Sequence, residues 1–303
     1  MALIDLNSPD SHEINTDIRE VQLSLELAHG ASLWGIFTMG PQRIFHRAML
    51  AASVLMFLQL TGVNAITFYT TKIFEDSLML GSVKSRILSA LYQLVSPIGG
   101  IICIFTIDSF GRRGLMLTSA AGNAICLALV AGLSSQAGND NSLNAAVAFI
   151  FIFHFTYVLG FGGIPFLYAT EIAPLHLRAA ISGAGVATFW AFNFLMAEVT
   201  PTGFDSISWK YFLIFSALNV IMIPIIYYLF PETARRSLEE IDEIFTNSTD
   251  IFAPVKLASS LPRRNFDTES RQKHLEDLAE GTRQKSLEKC QPSFAQLENA
   301  GEF

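Results

Sequence analysis

Charged residues are scarce in this sequence and unevenly placed. They make up 16% of the 303 residues, whereas apolar residues make up 51%. The charges gather in residues 1–47, in short connections and in 231–303, which leaves long stretches almost free of them. This pattern excludes a soluble domain with one large core and is typical of a polytopic membrane protein. The formal net charge of −7 is divided between the two polar ends of the sequence, residues 1–47 and 231–303. An acidic balance of this kind does not attract nucleic acid, so we expect none among the partners.

Cysteine is also rare, with three residues in the whole sequence. Cys103 and Cys126 lie in apolar stretches and Cys290 lies in a polar tail, so the sequence has neither a disulfide framework nor metal-ligand spacing. The catalytic and phosphate-binding patterns HExxH, GxSxG, paired CxxC and GxxxxGK are absent as well. We therefore expect a protein that is not an enzyme and that holds no cofactor and no metal.

What the sequence does contain is six apolar runs, each near the roughly 20 residues that cross a bilayer. These runs predict an all-α polytopic membrane protein whose six-helix transmembrane bundle covers 48–230, with crossings at 48–71, 87–107, 115–134, 146–169, 180–200 and 211–230. Residues 1–30 are polar and acidic, unlike a secretory signal peptide, so we expect the first crossing to act as its own insertion signal.

The segments outside the bundle are polar. Residues 1–47 are predicted to form a cytoplasmic lead-in with a short amphipathic helix over 18–30. After the last crossing, 231–245 is predicted to form an amphipathic helix that lies against the cytoplasmic ends of the bundle. From 246 to 303 the mixed charges and few aromatics predict a disordered cytoplasmic tail.

Orientation follows from where lysine and arginine collect. One side of the bundle carries Arg43, Arg47, Arg112, Arg113, Arg178, Arg235 and Arg236, whereas the other carries Lys72, Lys84, Arg86 and Lys210. The richer side is predicted to be cytoplasmic, with both termini there and the protein in the plasma membrane. The glycosylation pattern Asn247-Ser248-Thr249 would then face the cytosol and stay unmodified.

Polar side chains inside the crossings are costly in lipid and indicate function or helix packing. The first crossing carries Gln59, Thr61, Asn64, Thr67 and Tyr69 around Gly62. Two interpretations stay open: a hydrogen-bonding stripe that faces a cavity for a neutral polyol, or interhelical hydrogen bonds that hold the bundle together.

Two further features point to a ligand and to movement. Trp190 and Asn193, three residues apart, share a helical face and together are suited to grip a sugar ring, although both residues often only pack. The stretch 160–183 combines a glycine-rich kink, Pro165, Glu171 and Arg178, so we expect its helix to be bent or weakened at the proline. The alternative is an ordinary bent helix with snorkelling end charges.

Charges at the short connections form a second group. Asp108 and Arg112 are one helical turn apart, which leaves arginines free to reach Glu171 or Glu232 from neighbouring connections. The alternative is that these charges only set the topology.

These motifs resemble those of the sugar-porter branch of the major facilitator superfamily. In their residue composition they are also similar to fungal sugar permeases. The matching stretches are QLTGVNAITFY (59–69), DSFGRR (108–113), GFGGIPFLYATEIAPLHLRA (160–179), FWAFNF (189–194) and PETARRSLEEID (231–242). The resemblance covers about 35–245 and implies the C-terminal six-helix half of a fold in which two halves rock around a central site. The first half, with its proton-coupling residues, is expected to be missing from this chain.

For function, the resemblance implies transport of a sugar or related polyol, with proton partners if a first half is supplied. It places the substrate half-site at Gln59, Asn64, Tyr69, Gly162, Phe166, Trp190 and Asn193, and a gating charge network at Asp108, Arg112, Arg113, Glu171, Arg178 and Glu232. The alternative is a non-transporting half that regulates or scaffolds a full-length relative, or that self-associates.

The sequence departs from the family pattern at several site positions. Leu58 replaces the first residue of a Gln-Gln pair, Phe166 a tryptophan, Gly163 a proline, and Ser96 and Phe189 asparagines. PETAR also departs from the usual lysine-glycine ending. Because unmatched buried polar groups are penalised, these departures predict weaker binding of a standard hexose and favour a less polar or differently shaped substrate.

Overall fold

The computed structural model describes residues 33–40, 42–77, 81–136, 140–248 and 250–260. Within these ranges, six helical segments are long and apolar enough to cross a membrane, as predicted. They are Ile44–Glu75, Ser82–Phe110, Arg112–Ser134, Asn141–Glu171, Leu175–Ile207 and Lys210–Leu229. The expected amphipathic helix at 18–30 lies outside the described residues.

The helices are numbered here in chain order. Two of the crossings are each built from two helices joined at a break. The helices are α1 (Ile44–Leu60), α2 (Val63–Lys72), α3 (Ser82–Phe110), α4 (Arg112–Ser134), α5 (Asp140–Phe161), α6 (Ile164–Glu171), α7 (Arg178–Ile207), α8 (Lys210–Leu229), α9 (Leu238–Thr246) and α10 (Ala253–Ser260).

The first crossing breaks between α1 and α2 at Gly62. Its φ of +92° is a conformation that side chains rarely adopt, and a Cβ there would lie 2.6 Å from Cγ of Phe215. Glycine at this position therefore provides both the backbone turn and the close approach of α8. The break falls between Gln59 and Asn64, so it decides how these two amides meet.

The fourth crossing breaks between α5 and α6, at Gly162 and Gly163. The sequence predicted a glycine-rich kink in this stretch and a bend at Pro165, inside a helix. Instead, Pro165 lies in the first turn of α6, where its missing N–H takes no helical hydrogen bond away. The glycine pair therefore makes the break, and the proline starts the next helix.

The helices after the last crossing differ from the expected bounds. The amphipathic helix begins at Leu238 rather than at 231, because Ser237 and Glu240 form a capping box at its start. The tail was expected to be disordered over 246–303. Within it Ala253–Ser260 forms helix α10, whereas 261–303 lies outside the described residues. A pattern of mixed charges does not show a short helix that packs on other parts of the chain.

The core is asymmetric across the bundle. Helix α4 packs against α5 and α8, and α1 packs against α7. In the most apolar stretch of each crossing, the buried share of residues is 56% for α4. It is only 11% for α3 and 17% for the crossing that contains α7. Two helices therefore leave most of their apolar surface uncovered by the described part of the chain.

Candidate functional site

The amides of the first crossing meet across the Gly62 break. Asn64 Nδ2 donates to Gln59 Oε1 over 2.6 Å, and Gln59 Nε2 donates to the Phe189 carbonyl on α7 over 3.4 Å. Gln59 is fully buried, whereas Asn64 is only half-buried. Both interpretations of the polar stripe thus have a basis: Gln59 links helices, and Asn64 keeps accessible surface.

Tyr69 is tied to the same neighbour. Its hydroxyl donates to the Ala197 carbonyl over 3.0 Å, so a second polar residue of the first crossing bonds to α7. The backbone at Tyr69 leaves helical geometry, with φ −114° and ψ 17°. Gln59 and Tyr69 therefore hold the two parts of the broken crossing against one partner helix.

An aromatic group adjoins these amides. Ring centroids of Phe166 and Phe189 lie 5.3 Å apart, as do those of Phe189 and Trp190, and both pairs meet edge to face. Trp190 is 62% exposed and Phe166 38%. The rings extend from α6 to α7 and present an apolar, electron-rich surface beside the amide pair.

Two of the predicted half-site residues lie apart from this group. Asn193 is half-buried on α7, and no hydrogen bond in the described ranges joins it to Gln59 or Asn64. Gly162 lines a separate cleft of about 500 Å³ between α3 and the α5–α6 break, together with Ser96, Gly100 and Cys103. Asp108 and Arg112 line the same cleft, so it extends to the charged connection.

Arg112 is the centre of the ion pairs at that connection. Its Nη1 lies 3.0 Å from Asp108 Oδ1, and its Nη2 lies 3.1 Å from Glu171 Oε1. The other oxygen of Glu171 accepts from the Thr233 hydroxyl over 2.6 Å. The arginine side chain is 13% exposed and the Glu171 side chain 18%, so this pair is largely shielded from water.

Glu232 joins the same connection through the backbone. Its carboxylate accepts from the N–H groups of Arg112 and Arg113, over 3.0 and 3.2 Å, and therefore caps the start of α4. The Arg113 side chain turns away: it donates to the Tyr227 carbonyl and lies 4.9 Å from the centre of the Tyr227 ring. Five of the six predicted network residues thus lie at one connection.

Arg178, the sixth, lies outside these ion pairs. Its Nε and Nη2 are buried and have no hydrogen-bond partner among the described residues. A cationic group buried in this way calls for an acceptor.

Sequence reasoning missed Arg47 and Asp242. The fully buried Arg47 pairs with Asp242 of α9, donates to the Ile172 carbonyl, and lies 4.8 Å from the centre of the Phe245 ring. Asn219 was also missed: its Nδ2 donates to the Thr61 carbonyl over 3.1 Å and so ties the first crossing to α8. A lone amide in an apolar run was the available signal for Asn219.

Residues 4–245 match the family described as "Sugar (and other) transporter". The MFS-type transporter oryC of Aspergillus oryzae is 33% identical over 68% of this chain and 39% of its own length. The sugar transporter STL1 of Saccharomyces cerevisiae is 31% identical over 86% of this chain and 46% of its own length. The chain therefore spans about half the length of the curated relatives it matches.

The fold has a counterpart among solved structures. A double tryptophan mutant of XylE, a xylose transporter from E. coli, superimposes with a TM-score of 0.64 at 18% identity, covering 76% of this chain and 48% of that one. At this identity the likeness concerns the fold: six helices arranged as in half of a larger transporter.

Proposed function

The chain belongs to the sugar transporter family of the major facilitator superfamily, and we propose that it supplies one half of a pathway for a sugar or related polyol. The matched relatives are named as transporters and permeases, not enzymes. The single observation that carries the proposal is the amide and aromatic group on α1, α2, α6 and α7. Its uncharged donors and exposed rings suit a neutral polyol with an apolar face.

Within this proposal, the half-site comprises Asn64, Gln59, Tyr69, Phe166 and Trp190. Asn193 lies on the same helix as Trp190, and Gly162 lies in the separate cleft beside α3. Gln59 positions Asn64, because the hydrogen bond of 2.6 Å between their side-chain amides fixes the orientation of Asn64. The Phe166 and Trp190 rings would stack on the apolar face of the substrate. With few free donors, the site favours substrates less polar than a hexose.

The charged connection is proposed to act as the gate. Arg112 links the connection after α3 to the end of α6, so movement at the Gly162–Gly163 break must stretch or break this pair. Alternating access would then open and close the network formed by Asp108, Arg112, Arg113, Glu171 and Glu232.

A second six-helix bundle is proposed to complete the pathway. The uncovered apolar surfaces of α3 and α7 support this, as do the buried, unpaired donors of Arg178 among the described residues. Proton coupling, if present, would depend on that partner bundle. We propose residence in the plasma membrane with both termini cytoplasmic.

Uptake in a hexose-uptake-deficient cell tests the proposal. The chain is expressed alone and together with a matching first half from a family member, and uptake of radiolabelled glucose, xylose and glycerol is measured. Uptake that needs both halves supports a half-pathway. Correctly inserted halves that form a stable complex without uptake of any of the three would contradict it.

The exposed α3 and α7 surfaces also favour a second function. A half that pairs with a full-length relative, or with itself, would regulate or scaffold without transport. Co-purification with the relative, combined with an unchanged flux through that relative, separates this function from the first.

A further inference from the structure

A second pocket lies beside the start of the first crossing and is lined by none of the half-site or gate residues. It joins the segment before α1 to the segment between α9 and α10, and its volume is about 720 Å³. Two basic residues, Arg43 and Lys256, line it, together with Asp250. The net charge of these three side chains is positive, so the pocket attracts anions.

The two basic residues lie beside the start of the first crossing. Arg43 immediately precedes α1 and therefore lies at the start of the first crossing. Its Nη1 donates to the Asp250 carbonyl over 2.7 Å, which fixes the two segments against each other. Lys256 lies on α10 and is exposed.

The rim of the pocket is apolar and open. Met39 is 64% exposed, Ile251 51% and Phe252 52%, and all three line the pocket. Large apolar side chains beside basic groups, at the end of a membrane crossing, are the combination that inserts into the headgroup and acyl boundary of a bilayer. A soluble anion would use the basic groups but leave this rim in water.

We propose that this pocket binds the headgroup of an anionic phospholipid. The phosphate lies between Arg43 and Lys256, and the rim residues contact the glycerol and the first acyl carbons. The inference goes beyond the proposed transport function and depends only on the membrane location of the chain. In this proposal, lipid binds where the segment before α1 meets α10.

Native mass spectrometry of the delipidated full chain in detergent tests this. Dioleoyl phosphatidylserine and dioleoyl phosphatidylcholine are added separately, and the bound fraction of each is measured. We expect preferential binding of phosphatidylserine. Lys256→Gln should weaken it about fivefold, the equivalent of about 1 kcal/mol for a basic residue at a membrane surface. Lys84→Gln, an exposed lysine at the start of α3, is the matched control and should leave binding unchanged.

Two further measurements distinguish an intact phospholipid from a soluble phosphate compound as the ligand. The double variant Ile251→Ser with Phe252→Ser keeps both basic residues and should also weaken lipid binding, since it removes the rim. Glycerophosphoserine, which carries the headgroup without acyl chains, should compete poorly. Equal binding of both lipids, equal loss in Lys84→Gln and Lys256→Gln, or full competition by glycerophosphoserine would overturn the proposal.

Discussion

Arg112 Nη2 lies 3.1 Å from Glu171 Oε1, and this pair joins the connection after α3 to the end of α6. Helix α6 follows the Gly162–Gly163 break, so the pair fixes the position of a short helix that has no continuous helical link to α5. The same arginine bonds Asp108, one turn earlier. One side chain thus connects three parts of the chain at a single membrane face.

Removal of this charge should destabilise the bundle. Arg112→Gln leaves the shielded Glu171 carboxylate with the Thr233 hydroxyl as its remaining side-chain donor. Unpaired buried acceptors cost about 1–3 kcal/mol, so we expect a lower melting temperature of the purified chain. Lys72→Gln breaks an exposed pair with Asp205 at 3.4 Å and serves as the control. Equal melting temperatures for the two variants would show that the Arg112 pair contributes little.

Gly111 should tolerate no side chain. Its φ is +80° and ψ 162°, a region essentially restricted to glycine, and a Cβ there would lie 2.5 Å from Glu232 Oε2. We expect Gly111→Ala to cost about 1–3 kcal/mol and to displace the Glu232 cap of α4. Gly114→Ala, inside α4 with open space around the new Cβ, should be neutral or stabilising. Melting temperatures of the two variants check this, and a loss at Gly114 as large as that at Gly111 would contradict it.

The sequence predicted the six crossings because apolar length is a local property. Charges at the short connections suggested that an arginine after Asp108 could reach Glu171 or Glu232, with topology-setting charge as the alternative. The resemblance added Arg178 to the same group, but charges on one side need not touch. The distance between such groups depends on the packing of the helices that carry them, and a single sequence does not show that.

The pair between Arg47 and Asp242 illustrates the same limit. The two residues lie 195 positions apart, and Arg47 read as a topology-setting charge before the first crossing. The first helix instead begins at Ile44, so Arg47 belongs to its first turn, and its side chain is buried against α9. The stretch 160–183 was predicted to combine a glycine-rich kink with a bend at Pro165. The glycine pair does make the break, but Pro165 starts the next helix instead of bending one.

Helix α9 should depend on Asp242. Asp242→Asn removes the carboxylate that faces the fully buried Arg47, which keeps the Ile172 carbonyl and the Phe245 ring. Loss of a partner from a buried charge is costly, and because Asp242 is 37% exposed we expect about 1–3 kcal/mol. The result should be faster proteolysis between Pro231 and Thr246 in the purified chain.

The neighbouring carboxylate provides the control for this experiment. Glu243→Gln alters an exposed residue whose bond to Asn247 measures 3.4 Å, so its cleavage rate should match that of the unmodified chain. Similar rates for Asp242→Asn and the unmodified chain would show that α9 is held by apolar contacts alone.

Trp190 should affect transport without affecting stability. Its ring is 62% exposed and lies next to Phe189, so Trp190→Ala removes little buried surface. An aromatic contact with substrate contributes about 0.5–1.5 kcal/mol, and we expect the KM for uptake to rise by a factor of about 2 to 13 when a first half is co-expressed. Tyr228→Ala, at an exposed ring on α8, is the control and should leave KM unchanged. An equal rise in both variants would remove Trp190 from the half-site.

The orientation of the bundle is open to a direct test by glycosylation. More arginines lie on the membrane side of the Asp108–Arg113 connection than on the other side, so we expect the former side to be cytosolic. Asn247 lies on that side and should therefore remain unmodified. An acceptor tag with long polar flanks, inserted after Gln136 in the connection between α4 and α5, should be glycosylated because it lies on the other side. Endoglycosidase treatment followed by gel electrophoresis gives the readout. Modification at Asn247 together with a bare tag would reverse the topology and place the Arg112 pair outside the cell.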